Sequence, residues 1–278
     1  MAASEIGPEI VLASASASAT VHPAAGGRLG QLVVDGRPLL RGPEAGSLTW
    51  NEWGCYPLLP WSNRIPGGRI QFEGRSLEVP VSWTDGSALH GLAARDAWTV
   101  VESTTTTADL TIAFDVGCYQ VSGRQTFSLT ATHLDLELEV VNRGPDRVPA
   151  GLGIHPWFVA GPISVPADQA WPGEPMPTGP PRAVTRDEDL RTLRTPPSMD
   201  RCYTALTDHA AQVPGLRLSW SGPVTQVVVY SGTPGWVCVE PVTMANDGFR
   251  LAEEGVPGSG VVALDPGAAL RVAYRFAW

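Results

Sequence analysis

The chain has 278 residues and a net charge of −9, and all nineteen of its basic residues are arginine. An acidic, lysine-free protein is a poor partner for nucleic acid or an anionic membrane, and no apolar run approaches the roughly 18 residues of a membrane-spanning helix. No positive region precedes an apolar segment at the N-terminus, so no secretory signal is predicted. The four scattered cysteines lack CxxC spacing, which predicts a cytoplasmic protein with free thiols and no metal site.

Thirty glycines and 26 prolines punctuate the chain, which favours short strands and turns over helices. Residues 1–20 are interpreted as a leader strand with an Ala/Ser-rich stretch. Within Gly26–Leu40, the Asp35-Gly36 pair predicts the turn of a β-hairpin. Seven prolines in Pro172–Pro197 predict a long irregular connection. The segment Asp187–Leu193 is the one stretch predicted to form a short helix.

Alternating apolar residues predict strands with one buried face. Three such sets are Leu110, Ile112, Phe114 and Val116; Leu134, Leu136, Leu138 and Val140; and Leu270, Val272, Tyr274 and Phe276. The continuous apolar runs Val227–Tyr230 and Trp236–Val239 predict strands that are covered on both faces. We therefore predict a single all-β domain over residues 1–278, with two large sheets packed face to face.

The stretch GLGIHPWF, residues 151–158, places His155 at the end of an apolar run and follows it with proline and two aromatic residues. Proline fixes the backbone after His155 and favours an extended conformation at the histidine. Trp157 offers a flat surface that suits a sugar ring or a pocket wall. The alternative is a structural histidine at a strand end, with Trp157 and Phe158 in the core.

Glu240 ends the apolar run VCVE and precedes a proline. A carboxyl group in this place should be partly desolvated, which raises its pKa and makes it a better base near neutral pH. The alternative is an ordinary solvated glutamate at a strand end.

Three further stretches carry polar candidates. Asn63 and Arg64 end a segment made rigid by two prolines and Trp61, and they offer donors for sugar hydroxyls or a carboxylate. His90 precedes a glycine, which permits close backbone approach and predicts an exposed imidazole. Asp200 lies where the chain enters a strand after the proline-rich connection. The structural alternatives are an arginine bonded to loop carbonyls, a turn histidine, and a turn or cap aspartate.

Together these stretches resemble the aldose 1-epimerase (galactose mutarotase-like) family. The matching motifs follow one another along almost the whole chain: GGRLGQLVVDG, PLLPWSNRI, LHGLAARDAW, GLGIHPWF, MDRCYTAL, VCVEPVTMANDGF and LDPGAALRVAYRF. The PLLPWSNRI form is similar to the shorter bacterial branch of the family. The resemblance implies a β-supersandwich and a cofactor-free isomerase that interconverts the α and β anomers of a free aldose.

The resemblance also implies roles, carried over by position in the motifs. These are His155 as general acid, Glu240 as general base, His90 as a second active-site histidine near the ring oxygen, Arg64 and Asp200 with Asn63 beside them as residues that hold sugar hydroxyls, and Trp157 as part of the wall. Ring opening takes a proton from the C1 hydroxyl and gives one to the ring oxygen. A carboxylate and an imidazolium on opposite sides of the ring could do both, and their mutual attraction would keep both charged.

Other functions remain open at this point. A hexose-6-phosphate 1-epimerase would need extra arginines near the site, for which Arg69, Arg95 and Arg201 are candidates. A non-catalytic sugar-binding protein would not need both an acid and a base. A glycoside hydrolase could use Asp200 and Glu240 as its paired carboxylates, but its histidines would then have no role. The expected partner is a monosaccharide, and a monomer is the expected oligomeric state.

Overall fold

The computed structural model describes residues 6–43 and 49–278, which fold into two large antiparallel sheets and three small two-stranded ones. Within these ranges the α-helical content is α1 (Gly248–Glu253), and a 3-10 turn forms at Pro23–Ala25. The prediction of an all-β fold is confirmed. Residues 1–5 of the predicted leader strand lie outside the described residues. No helix in the described part of the chain has the length and apolar character needed to cross a membrane.

The strands are numbered in chain order. They are β1 (Ile10–Ala13), β2 (Ala17–His22), β3 (Arg28–Val34), β4 (Arg37–Pro38), β5 (Cys55–Leu58), β6 (Arg64–Pro66), β7 (Arg69–Phe72), β8 (Arg75–Glu78), β9 (Ser87–Leu89), β10 (Thr99–Ser103), β11 (Thr107–Val116), β12 (Tyr119–Leu129), β13 (His133–Asn142), β14 (Val148–Ala150), β15 (Gly153–Val159), β16 (Ala167–Ala170), β17 (Arg182–Ala183), β18 (Asp200–Leu206), β19 (Ala210–Val213), β20 (Leu216–Ser221), β21 (Gln226–Tyr230), β22 (Trp236–Val242), β23 (Val262–Leu264) and β24 (Ala269–Ala277).

The large sheet has eleven strands in the order β1-β2-β3-β5-β15-β22-β21-β18-β16-β17, with β4 paired to β3. The second sheet has seven strands in the order β10-β11-β12-β13-β24-β20-β19. The small pairs are β6 with β9, β7 with β8, and β14 with β23. This topology places β15 and β22, which carry the histidine and glutamate candidates, side by side in the middle of the large sheet.

The two large sheets share one apolar core. The alternating residues predicted to be inward-facing in β11, β13 and β24 pack into it and are buried apart from Val116, which is partly buried. Phe158 of β15 contacts Phe276 of β24 across the core, with ring centroids 6.4 Å apart. Polar side chains take the opposite face of the second sheet, as a period of two requires.

The central strands of the large sheet are covered on both faces, as their continuous apolar runs predicted. Val229 and Val239 pack into the core between the sheets. Val228 and Cys238, which point the other way, belong to a second buried cluster that includes Trp157. This second face carries the polar residues described below.

The predicted hairpin is present, whereas the predicted helix is wrong. Asp35 and Gly36 join β3 to β4 with φ values of 48° and 76°, the positive angles that a tight two-residue hairpin turn needs. In Asp187–Leu193 the chain forms turns instead of a helix. There Glu188 accepts hydrogen bonds from the backbone and hydroxyl of Thr185. Such local side-chain bonds compete with helical hydrogen bonding.

Pro172–Pro197 is otherwise irregular, as predicted, apart from the two residues of β17. The helix α1 forms elsewhere, shortly after β22, and it buries Phe249 and Leu251. Sequence reasoning missed it because six residues are too few to show a helical stripe.

Candidate active site

Strand register brings His155 and Glu240 together. In β15, His155 lies opposite Tyr56 of β5, and Trp157 lies opposite Cys238 of β22. Glu240 is two residues beyond Cys238, so its side chain points to the same face of the sheet. Nε2 of His155 lies 3.2 Å from Oε1 of Glu240. The two residues are only 6% and 3% exposed.

This contact differs from the expected placement of the acid and the base on opposite sides of a sugar ring. A separation of 3.2 Å is a hydrogen-bond distance. A ring therefore cannot fit between His155 and Glu240. Both groups must approach a bound molecule from the same side.

Aromatic rings fix the imidazole of His155. Tyr56 stacks on it with centroids 4.7 Å apart and an interplanar angle of 19°. Trp157 stacks at 5.7 Å and 24°, and its indole N–H donates a 2.9 Å hydrogen bond to the carbonyl of Asn51. The neighbouring Phe158 points to the opposite face, into the core. Alternation thus assigns Trp157 to the site and Phe158 to the interior.

His90 lies in the turn after β9, and its ring meets that of His155 edge-on at 5.1 Å. It is only 6% exposed, so the expectation of an exposed imidazole is wrong. The rings of Trp50 and Tyr56 also pack against it and shield it from solvent. Its backbone N–H donates to the carbonyl of Asn63 at 2.8 Å.

The glycine after His90 has the predicted role. A Cβ at Gly91, where φ is 74°, would lie 2.1 Å from the carbonyl oxygen of Leu59. His90 and Asn63 themselves have positive φ values of 59° and 56°. Positive φ is uncommon outside glycine, although asparagine and histidine adopt it more often than most residues. Such backbone angles are frequent at functional sites.

Arg64 and Asp200 reach the cleft from different sheets. Arg64 is the first residue of β6, and its Nε donates a 2.9 Å hydrogen bond to Asp85. Asp200 is the first residue of β18 and lies opposite Tyr230 of β21. Asp85 thus orients the Arg64 guanidinium, a contact that no motif indicated.

All seven predicted site residues line one cleft with a volume of about 200 Å³, namely Asn63, Arg64, His90, His155, Trp157, Asp200 and Glu240. Six further lining residues were not predicted: Asn51, Glu52, Trp83, Leu89, Tyr230 and Thr233. Tyr230 could have been found, because it puts a polar tip at the end of an otherwise apolar run. The others gave no recognisable pattern.

Burial sets the protonation of the central pair. Burial raises the pKa of Glu240 well above its ordinary value, and the negative charge of Asp200 adds to this while Arg64 opposes it. Burial lowers the pKa of His155 to about 3. Desolvation therefore favours the state in which the proton resides on Glu240 and both groups are neutral, and it acts against the attraction that was expected to keep both charged.

The surrounding groups follow the same trend. Burial lowers the pKa of His90 well below the usual value, and the neighbouring His155 and the charge of Arg64 act in the same direction. Burial also raises the pKa of Asp200, against the effect of Arg64. The cleft therefore offers a neutral imidazole, a protonated glutamate and hydrogen-bonding groups suited to hydroxyls.

Three side chains that can ligate a metal also meet here. The donor atoms of His155, Cys238 and Glu240 lie within 4.8 Å of one another. A cysteine ligand must be a thiolate. Burial and the Glu240 carboxyl raise the pKa of the Cys238 thiol well above its usual value. The arrangement therefore suits proton transfer between His155 and Glu240 better than it suits a metal.

The two antiparallel sheets, with a polar cleft on the outer face of the larger one, define a galactose mutarotase-like fold. The chain belongs to the aldose 1-epimerase family, whose sequence model matches residues 8–276. Family and fold thus agree with the resemblance seen in the motifs.

The individual proteins that this chain resembles share only a modest sequence identity with it. YphB of Escherichia coli K12, an uncharacterised protein, is 36% identical over 131 residues, which span 46% of this chain and 44% of YphB. The match therefore covers less than half the length of that relative. The crystal structure of an Escherichia coli K12 protein provisionally assigned as an aldose 1-epimerase has a TM-score of 0.86 at 23% identity, covering 97% of this chain and 98% of that one. A galactose mutarotase-like protein of Clostridium acetobutylicum has a TM-score of 0.82 at 18% identity, covering 96% and 94%.

Proposed function

We propose that this protein is a cofactor-free aldose 1-epimerase that interconverts the α and β anomers of a free aldohexose. Glu240 is the general base at the C1 hydroxyl, and His155 is the general acid at the ring oxygen. The observation that carries the proposal is the buried pair itself, with Nε2 and Oε1 3.2 Å apart in the cleft. Membership of the aldose 1-epimerase family supports the reaction class.

The reaction needs two coupled proton transfers and no other reagent. Glu240, as the carboxylate, takes the proton of the C1 hydroxyl while His155, as the imidazolium, gives a proton to the ring oxygen. The bond between C1 and the ring oxygen breaks, and an open-chain aldehyde forms. Rotation about the C1–C2 bond exposes the other face of the carbonyl. The ring then closes with both proton transfers reversed, which yields the other anomer and restores the pair.

The contact between the two groups suits this chemistry. The C1 hydroxyl and the ring oxygen are attached to the same carbon, so acid and base must reach neighbouring oxygens from one side. The neutral pair and the charge-separated pair hold the same number of protons. A bound hydroxyl that hydrogen-bonds to Glu240 can therefore shift the pair into its active form without exchange with solvent.

The remaining polar residues fit recognition of hydroxyl groups. Arg64 and Asn63 supply donors and Asp200 supplies acceptors at the edges of the cleft. His90 lies beside His155, where it can meet the ring oxygen. Trp157 provides a flat apolar wall of the kind that packs against the C–H face of a sugar.

The positions of the arginines favour a free sugar over a phosphosugar. Arg201 is occupied by Glu174 at 2.7 Å and Glu188 at 3.2 Å. Arg69 is exposed on the small β7–β8 pair, and Arg95 is exposed beside Trp50. None of these three arginines is among the described residues that line the cleft. Among the described residues that line the cleft the sole arginine is Arg64, and its Nε is paired with Asp85 at 2.9 Å.

Polarimetry tests the proposal directly. Freshly dissolved α-D-glucose and α-D-galactose are followed with and without the protein in weak buffer, and faster approach to an unchanged final rotation is expected. The ratio of the two rates ranks the substrates. Acceleration of glucose 6-phosphate alone would replace the free sugar with a phosphosugar. Absence of acceleration with all three would contradict the enzyme and favour a sugar-binding protein.

A further inference from the structure

The guanidinium of Arg28 is buried beneath the site. Arg28 is the first residue of β3 and is only 1% exposed. Its Nε donates to the carbonyl of Ala25 at 2.6 Å, and its Nη1 donates to Trp50 at 2.6 Å and Trp53 at 3.0 Å. Its Nη2 donates to Ala94 at 2.9 Å. One side chain thus ties together the turn before β3, the segment before β5 and the loop that follows His90.

Burial of the Arg28 cation costs desolvation free energy. Burial lowers the pKa of Arg28 to about 10, so the side chain remains charged at neutral pH. Among residues 6–43 and 49–278, no carboxylate lies within ion-pair distance of it. A buried charge without a carboxylate partner destabilises a fold relative to an apolar side chain of similar size. The contacts of Arg28 indicate a role that offsets this destabilisation.

Arg28 donates hydrogen bonds to the Trp50–Trp53 segment, and this segment holds the two rings that stack on His155. Between Trp50 and Trp53, the carbonyl of Asn51 accepts hydrogen bonds from two side chains. One is the Tyr56 hydroxyl at 3.2 Å, and the other is the Trp157 indole at 2.9 Å. These are the two rings that stack on the His155 imidazole.

Arg28 also touches this group of rings directly. Its guanidinium carbon lies 4.3 Å from the ring centroid of Trp53 and 5.1 Å from that of Tyr56. Tyr56 in turn stacks on His155 at 4.7 Å. A continuous path of contact therefore runs from the buried cation to the imidazole, and it crosses a single side chain.

We propose that Arg28 is a positioning residue, which holds His155 against Glu240 through Tyr56 and the Trp50–Trp53 segment. This inference depends on the proposed function only for its rate measurement, since the state of His155 can be observed without a sugar.

The charge of Arg28 has only a secondary effect on His155, which it shares with every charged or titratable group that faces the imidazole. These are Glu240 and Cys238 from β22, His90 from the turn after β9, Tyr56 from β5, Arg28 from β3, and, beyond Glu240, Asp200 and Arg64. Burial lowers the pKa of His155 most, a hydrogen bond with its own backbone opposes this, and the positive charge of Arg28 is the smallest of the three effects. The role of Arg28 therefore rests on its contacts.

The test compares Arg28→Met with Arg28→Lys, which keeps the charge but loses the forked geometry. In both variants we expect kcat to fall on the order of 10- to 100-fold with KM within about twofold, because the pair is misaligned while the sugar-binding groups remain. The NMR shifts of the His155 imidazole, recorded without sugar, should change in both variants, because the Tyr56 ring that stacks on it loses its support.

Wild-type kcat in both variants, or unchanged NMR shifts of the His155 imidazole in Arg28→Met, overturns the proposal. Should Arg28→Met fail to fold by circular dichroism, Arg28→Gln replaces it. That variant keeps an amide donor but loses the forked contacts to the carbonyls and the contact of the guanidinium with the Tyr56 ring. A loss of kcat there supports the proposal, and wild-type kcat overturns it. An inactive wild-type protein would contradict the proposed function alone, and the NMR shifts of the His155 imidazole would still decide whether Arg28 positions it.

Discussion

The outer face of the seven-stranded sheet and the cleft on the large sheet use ionisable residues in opposite ways. On the outer face, Arg275 donates hydrogen bonds of 2.7 and 2.8 Å to Asp135, and these bonds lower the pKa of the carboxyl group. In the cleft, burial moves Glu240 and His155 toward their neutral forms. Water supports the charges of the first pair but is excluded from the second. Ionisation of the exposed pair costs little free energy and serves no proton transfer. Ionisation of the buried pair costs much more, and the same burial leaves its groups able to exchange a proton.

The largest effect is expected from removing the buried base. Glu240→Gln keeps the shape of the side chain but cannot take the C1 proton, so kcat should fall on the order of 10²- to 10⁴-fold while sugar binding persists. Polarimetry gives the rate, and titration calorimetry gives the binding. Retained turnover would remove Glu240 from the mechanism.

The pH–rate profile is expected to be wide and bell-shaped. A second proton entering the pair leaves no base, and this happens on His155, whose pKa burial lowers to about 3. Loss of the shared proton leaves no acid, and this occurs only at the raised pKa of Glu240. We therefore expect kcat/KM to stay level as pH falls through 6.5, the ordinary value for histidine. An acid limb centred near that value would show that His155 is not held neutral. The protein-free rate is subtracted at each pH.

The same burial predicts a cost in stability that depends on pH. Because the folded pKa of Glu240 is raised, the unfolded chain releases this proton above about pH 4.5 while the folded protein keeps it. Stability should thus be lost as pH rises toward the folded pKa. Glu240→Gln lacks this penalty. Above pH 6.5, where His155 no longer titrates in either state, the free energy of unfolding of the variant should rise relative to that of the wild type by up to about 1.4 kcal/mol per pH unit. Urea unfolding at several pH values measures the difference. A gap that does not widen with pH would contradict the raised pKa.

The smallest effect is expected on the outer face. Asp135→Asn removes one partner of an exposed pair, and such pairs contribute only about 0.2–1 kcal/mol. Unfolding free energy should change within that range, and kcat should not change. Added salt should weaken the wild-type pair and narrow the difference further. A large loss of stability or of turnover would mean that this exposed pair contributes more to folding or catalysis than its solvent exposure predicts.

The strands were predictable because burial of one face leaves a period of two in the sequence. Leu134, Leu136, Leu138 and Val140 show this signal without interruption, and they fill the core as expected. The interpretation of Asp187–Leu193 as a helix failed because charged side chains there bond to nearby backbone groups and to arginines. That competition depends on local geometry, which a periodicity does not record.

The sequence identified which residues form the candidate site but not how they contact one another. His155 and Glu240 were identifiable because each puts a polar group at the end of an apolar run. Their direct contact depends on the pairing of β15 with β22, which are far apart in sequence. The buried state of His90 likewise required the rings of three other segments. Arg28 gave no signal, since an arginine in a predicted hairpin is expected at the surface.

The two-sided packing of the central strands has a practical consequence for altering substrate range. Along β15, Ile154 and Phe158 face the core while His155 and Trp157 face the cleft, so randomising the strand would change interior packing and chemistry at once. Trp83 and Thr233 lie at the cleft on loops, and their replacement leaves the shared core intact. Libraries confined to these loop positions should therefore yield a larger fraction of folded, active variants than libraries of the same size in the strands.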